Sequence, residues 1–149
     1  MRFARNVVLS LAVIAAVVAS PRPASASVSL GLGADYLFDP QDGAFELTLA
    51  ADTPIARRLS LGGRFGLGFF TGPDRVGVPL DLRLRARLHR VYVDGLIGPW
   101  IVFTDSDALK FHAGVGFGLL ARNVSLGVEL GYLTRPSTGM LGVRVAFPL

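Results

Sequence analysis

The chain has 149 residues, is 51% hydrophobic and 17% charged, and carries 18 Gly but no Cys, which bounds it to one small domain. Disulfides and thiolate metal sites are excluded. Its mean hydropathy of +0.50 is high, yet past the first twenty residues no apolar run is long enough to cross a bilayer as a helix.

The opening Met1-Arg2-Phe3-Ala4-Arg5-Asn6, the apolar stretch from Val7 to Ala19 and the triplet Ala24-Ser25-Ala26 are the three parts of a secretory signal. Cleavage is expected after Ala26. The apolar core is too short for a spanning helix, and Pro21 and Pro23 close it off. Residues 1–26 are therefore expected to be a signal peptide and residues 27–149 the folded domain. Loss of Arg2, Arg5 and Arg22 leaves twelve basic against eleven acidic side chains. A nucleic-acid partner then has no electrostatic basis.

From Ser27 onward the pattern has period two, as in strands with two chemically different faces. In the first segment Val28, Leu30, Leu32, Ala34 and Tyr36 alternate with Ser29, Gly31, Gly33 and Asp35. The second sets Phe45, Leu47, Leu49 and Ala51 against Glu46, Thr48, Ala50 and Asp52, and the third sets the alternate residues Leu59 to Phe69 against Ser60, Gly62, Arg64, Gly66 and Gly68. The fourth opposes Leu80, Leu82, Leu84, Ala86 and Leu88 to Asp81, Arg83, Arg85, Arg87 and His89. In the fifth, Val91 to Phe103, the run Gly98-Pro99-Trp100 suggests a bulge and leaves the facing of Trp100 open. The sixth alternates Leu109, Phe111, Ala113, Val115, Phe117 and Leu119 with Lys110, His112 and three Gly, and the seventh alternates Val124 to Tyr132 with Ser125, Gly127, Glu129 and Gly131. The last alternates Leu141, Val143, Val145, Phe147 and Leu149 with Gly142, Arg144 and Ala146.

Eight segments of roughly ten residues predict an all-β, eight-stranded antiparallel up-and-down transmembrane β-barrel. The connections alternate in kind. Phe38–Gly43, Thr71–Val78, Thr104–Ala108 and Thr134–Gly139 carry Asp, Pro, Ser and Gly, whereas Pro54–Arg58, His89-Arg90 and Ala121–Asn123 are tighter and basic. With both termini in the periplasm the basic turns face that side. Tyr36, Phe69, Phe103, Phe111 and Tyr132 are then expected near the outer strand ends as an interfacial girdle.

The apolar face is assigned to lipid because the other face is dominated by Gly, which makes room for long Arg side chains in a narrow barrel. The inward ionisable set is Asp35, Glu46, Arg64, Asp81, Arg83, Arg85, Arg87, Asp94, Lys110, His112, Glu129 and Arg144. Setting His112 aside, six are basic and five acidic, the near balance that an ion-pair network in a low-dielectric lumen requires. The Gly-rich inner faces of the third, sixth and eighth strands also allow a hollow sector for a small apolar or acyl ligand.

The chain resembles the small eight-stranded outer-membrane barrels of Gram-negative bacteria, of the outer membrane protein A transmembrane domain and outer membrane protein X type, over Ser27 to Leu149. The terminal row Leu141, Val143, Val145, Phe147 and Leu149 resembles the signal read by the barrel-assembly machinery in these proteins. Here Phe147 sits two residues before the end and Pro148-Leu149 replaces the usual terminal aromatic.

His112 near Asp105, Ser106 and Asp107 raises a rim catalytic site, weighed against a lumen histidine bonded to a carboxylate. The second reading is preferred, and no enzymatic activity, metal or cofactor is expected. The expected function is structural or surface-interacting within the cell envelope, for a monomer whose partners are outer-membrane lipid and the assembly machinery. Alternatives are a narrow channel or acyl-transport barrel using Arg83, Arg85 and Arg87, and a soluble periplasmic lipocalin-like binding barrel.

Overall fold

A computed structural model describes residues 26–39, 41–72, 75–103, 106–135 and 137–149. The expected signal segment, up to residue 25, and Asp105 lie outside the described residues. Eight strands follow one another: β1 (Ser27–Leu37), β2 (Asp42–Ala56), β3 (Leu59–Phe70), β4 (Arg75–Leu88), β5 (Val91–Val102), β6 (Leu109–Leu120), β7 (Ser125–Leu133) and β8 (Thr138–Pro148). Each pairs antiparallel with the next, and β8 pairs back onto β1, so the sheet closes into an up-and-down barrel. Closure removes the sheet edges and leaves every strand with two hydrogen-bonded neighbours.

Side chains alternate across this wall as the period-two pattern requires. Leu32, Phe65, Leu82, Ile97, Phe117 and Val143 are each about half exposed on the outer surface, while Asp35, Glu46, Arg64, Asp81 and Glu129 are buried inside. A soluble binding barrel, the alternative weighed above, would have the opposite arrangement. In water the outer face would cost about 1.5–3 kcal/mol for each large apolar side chain. Tyr36, Phe69, Phe103, Phe111 and Tyr132 all stand on the outer surface toward one end.

The strands run further into the connections than expected. Arg75 to Val78 belongs to β4, and Pro54 to Ala56 belongs to β2, which leaves Arg57-Arg58 as a two-residue turn. His89 opens the β4–β5 turn with φ of 57°, a left-handed conformation that tight hairpins use and that non-glycine residues seldom adopt. No bulge forms at Gly98-Pro99-Trp100: Pro79 pairs with Trp100 and Leu82 with Ile97 in one unbroken register. The prolines withhold an amide without shifting the ladder. The register shift lies instead at Pro54/Ala56 between β2 and β3.

Two ends can be distinguished. The turn end carries Arg57-Arg58, His89-Arg90, the 121–124 connection and both strand termini of the closure, and the loop end carries the other four connections. An apolar cluster of Leu37, Ala44, Phe70, Trp100, Val102, Leu133 and Met140 fills the lumen near the loop end. Most of the buried charged side chains lie between this cap and the turn end, with Asp42 and Lys110 at the loop-end rim.

Candidate functional site

The register explains how the lumen fits so many long side chains. Where a charged residue must reach past a neighbouring strand, that strand supplies a Gly. Asp52 on β2, Gly62 on β3 and Arg83 on β4 stand in one row, and Arg83 crosses Gly62 so that its Nε donates to Asp52 Oδ1 at 3.1 Å and its Nη2 to Oδ2. Glu46, Gly33 and Arg144 form a second such row. A Cβ at Gly33 would lie 2.7 Å from Arg144 Nη1, so only Gly leaves this passage open.

The layer nearest the turn end is paired within itself. Arg85 and Asp94 are register partners, Arg85 Nε and Nη2 donate to Asp94 Oδ1 and Oδ2 at 2.7 Å each, and the guanidinium lies 4.2 Å from the Tyr92 ring centroid. This combines a two-pronged ion pair with a cation–π contact. Replacing Arg85 by Leu is expected to destabilise the barrel by about 3 kcal/mol, because Asp94 is then buried alone. The double variant Arg85→Leu/Asp94→Leu should recover most of that loss in a denaturant titration, and a double variant no better than the single would show that the pairing is irrelevant.

The central layer spans the lumen. Arg64 on β3 donates from Nε and Nη2 to Asp81 Oδ2 at 3.1 and 2.7 Å, and from Nη1 and Nη2 to Glu129 Oε2 and Oε1 at 2.7 and 3.1 Å. Since Glu129 lies on β7, this arginine ties opposite walls together. Arg144 Nη2 reaches Glu129 Oε1 at 3.3 Å, Asp35 Oδ1 at 2.7 Å and Glu46 Oε2 at 3.5 Å. His112 Nδ1 lies 2.8 Å from Asp81 Oδ1, which also accepts from Trp100 Nε1 at 3.2 Å. The acceptor at Nδ1 places the imidazole proton there, with Nε2 3.6 Å from Glu129 Oε1. Four carboxylates, Asp35, Glu46, Asp81 and Glu129, thus face two guanidiniums and one imidazole. The two oxygens of Glu46 take no hydrogen bond from the described residues.

Above this layer sits the cap, with Val102 fully buried and Trp100 2% exposed. The Trp100 and His112 rings stack obliquely with centroids 4.9 Å apart. At the loop-end rim Thr71 Oγ1 donates to Asp42 Oδ1 at 2.9 Å, Arg75 Nη2 stands 3.7 Å from Asp42 Oδ2, and Lys110 Nζ donates to the Arg135 carbonyl. Below the cap lies a void of about 40 Å³ beside Thr48, Arg83, Tyr92 and Ser125, a volume on the scale of one or two waters. The hollow sector expected from the Gly-rich faces corresponds here to a void of water size. A larger depression of about 630 Å³ lies against the barrel wall. It opens at Gly95, where a Cβ would meet nothing within 4 Å.

No protein-family model and no curated protein matches the chain. Solved structures do. A de novo designed transmembrane β-barrel superimposes with TM-score 0.64 at 14% identity, over 83% of this chain and 95% of its own. The outer membrane enzyme PagL gives TM-score 0.58 at 16% identity over 83% and 98%. The Yersinia pestis outer membrane protein Ail, in a phospholipid bilayer nanodisc, gives 0.57 at 13% over 84% and 100%. The fold is that of the small eight-stranded outer-membrane barrels.

Within this barrel ten of the twelve expected lumen residues, Asp35, Glu46, Arg64, Asp81, Arg83, Arg85, Asp94, His112, Glu129 and Arg144, are enclosed and take part in the three arrangements above. Lys110 is buried nearer the loop-end rim. Arg87 is a correction: it keeps the inward parity but stands beyond the paired layer, exposed at the turn end, where its backbone N–H donates to the Arg58 carbonyl at 2.8 Å. The expected charge balance is corrected as well, since Arg87 leaves the lumen and Asp52 joins it. Parity already placed Asp52 beside Glu46. Its partner Arg83, two strands away, is set by register.

Trp100 turns inward, as the unshifted register dictates. His112 is 1% exposed, beneath the cap and against Asp81, whereas Ser106 and Asp107 are exposed at the loop end. Ser106 and Asp107 are thus not brought to His112. Among the described residues no group of three or more His, Asp or Glu is arranged to hold a metal ion. In the terminal row Leu141, Val143, Phe147 and Leu149 are exposed and Val145 is half-buried, so the row lies on the outer wall, and Leu149 N–H closes it onto the Val28 carbonyl at 3.0 Å.

Proposed function

We propose that this chain is an integral outer-membrane barrel with a structural or surface-interaction role in the envelope and no enzymatic activity. The observation that carries this reading is the filled lumen. The apolar cap, the cross-barrel Arg64 bridge and the paired layer below it succeed one another along the axis, and the void beside Arg83 and Tyr92 measures about 40 Å³. An eight-stranded barrel is just wide enough to be filled by its own side chains, and this one is filled at each level. Neither a solute path nor an acyl-sized chamber is favoured by any observation.

The termini and short basic turns are read as periplasmic and the longer connections as outward. Outer-membrane lipid then covers the apolar wall, and the row Leu141, Val143, Val145, Phe147 and Leu149 is the part offered to the barrel-assembly machinery. The chain is read as a monomer. The neighbour Ail is described as an attachment invasion locus protein, which favours looking for a surface role at the outward connections.

Two measurements test the reading together. The envelope fraction of a Gram-negative host should contain a heat-modifiable band, faster unboiled than boiled, and the purified protein in planar bilayers should give no stepwise conductance. A heat-modifiable protein that conducts would replace the structural role with a channel. A soluble product with one gel position would remove the membrane reading.

A further inference from the structure

The charges left outside the lumen are distributed unevenly between the two ends. At the loop end exposed charges of both signs occur, Asp39, Asp107 and Arg135. At the turn end the exposed ionised side chains among the described residues are five arginines, Arg57, Arg58, Arg87, Arg90 and Arg122, with no acidic side chain. The nearest acids, Asp52 and Asp94, are buried and committed to Arg83 and Arg85.

The five occupy all three turns of this end, from β2–β3 through β4–β5 to β6–β7, and so spread around the rim. The Arg87 N–H donates to the Arg58 carbonyl at 2.8 Å, and the Leu120 N–H to the Arg90 carbonyl at 2.7 Å, so the three turns that carry them touch in succession. Five like charges on one rim, with no acidic side chain exposed among them, favour an external anion. The height of the patch identifies that anion. Leu59, Leu88 and Val91, each next in sequence to one of these arginines or the turn it sits in, point outward and are exposed. With turns of only two residues at Arg57-Arg58 and His89-Arg90, the backbone that carries these arginines turns back where the apolar band ends.

We infer that Arg57, Arg58, Arg87, Arg90 and Arg122 form a docking surface for the phosphate groups of anionic phospholipids in the leaflet at the turn end. A guanidinium takes a phosphate through two parallel N–H donors, and each basic side chain near an anionic membrane surface gains attraction that salt screens. A polymer lying deeper in the periplasm would need side chains carried out on a longer loop. The inference rests on the outer-membrane reading above, and it adds the leaflet and the lipid class that the barrel selects.

The test is urea titration of the protein folded into phosphatidylcholine vesicles, with and without about one-third phosphatidylglycerol. The native chain is expected to gain about tenfold in its folding equilibrium constant on the anionic vesicles at low salt, and to lose most of that gain in about 0.5 M salt. Replacing all five arginines by Gln should leave folding in phosphatidylcholine unchanged and abolish the gain. Arg57→Gln/Arg122→Gln, which leaves the touching Arg87 and Arg90 strands intact, should lose part of it, and Arg135→Gln at the other end should keep it. Equal gains in the native and five-fold variants overturn the inference, as does no gain in the native chain. Arginine-dependent pelleting with cell-wall sacculi in the absence of a lipid effect overturns it in favour of the wall. Failure of the native chain to fold in any bilayer overturns the outer-membrane reading itself.

Discussion

Replacing Arg64 by Met should lower the stability of the folded barrel by about 3–5 kcal/mol, because one side chain neutralises two buried carboxylates on opposite walls. Its four donated bonds to Asp81 and Glu129 run from 2.7 to 3.1 Å, and no neighbouring cation can take over the contact with Asp81. Arg144 lies toward Asp35 and Glu46, and His112 meets Asp81 through the other oxygen. Arg64→Lys should recover less than half of the loss, since an ammonium cannot fork between two planar carboxylates. Glu46→Gln provides the contrast. Its oxygens receive no hydrogen bond from the described residues and share Arg144 with Asp35, so removing its charge should be neutral or stabilising by roughly 1 kcal/mol. Denaturant midpoints in one detergent or lipid decide both, and an Arg64→Met variant as stable as the native chain would show that the cross-barrel bridge contributes nothing.

Truncating Trp100 to Ala should cost about 3–5 kcal/mol, the range for removing a fully buried aromatic side chain. Two further effects separate it from an ordinary cavity. The Asp81 carboxylate loses the indole N–H at 3.2 Å, and the His112 ring loses the face that packs against it at 4.9 Å. Trp100→Phe keeps the ring and removes the donor, so it should cost about 1–2 kcal/mol, isolating the hydrogen bond. Neither variant should conduct in planar bilayers, because the Arg64 bridge still blocks the axis below the missing cap. Conductance in Trp100→Ala would place the seal in the cap alone.

Much of the architecture is local information. Strand number, the outward set of Leu, Val and Phe, and the inward parity of Glu46, Arg64, Asp81 and His112 all follow from alternation along single segments, because a pleated strand sends successive side chains to opposite faces whatever it pairs with. Trp100 shows the limit of that rule. Gly98 and Pro99 locally signal a bulge, yet the β4–β5 and β5–β6 registers pass them without a shift.

Arg87 marks another limit. It shares its face with Arg83 and Arg85, yet the lumen ends before it because the turns at Arg57-Arg58 and His89-Arg90 set the height of the wall. Its neighbours along the strand carry no record of that height.

By itself, then, the sequence determined the barrel class, the polarity of its two faces and the basic character of one rim, since each depends on residue type and spacing within one hairpin. Only the tertiary structure decided which charge meets which. Arg83 reaches Asp52 across Gly62, Arg64 meets Glu129 from the far wall, and Glu46 is left sharing Arg144 with Asp35. These pairings depend on closure and on the register of all eight strands together, and no pattern within a segment encodes a distance across the lumen.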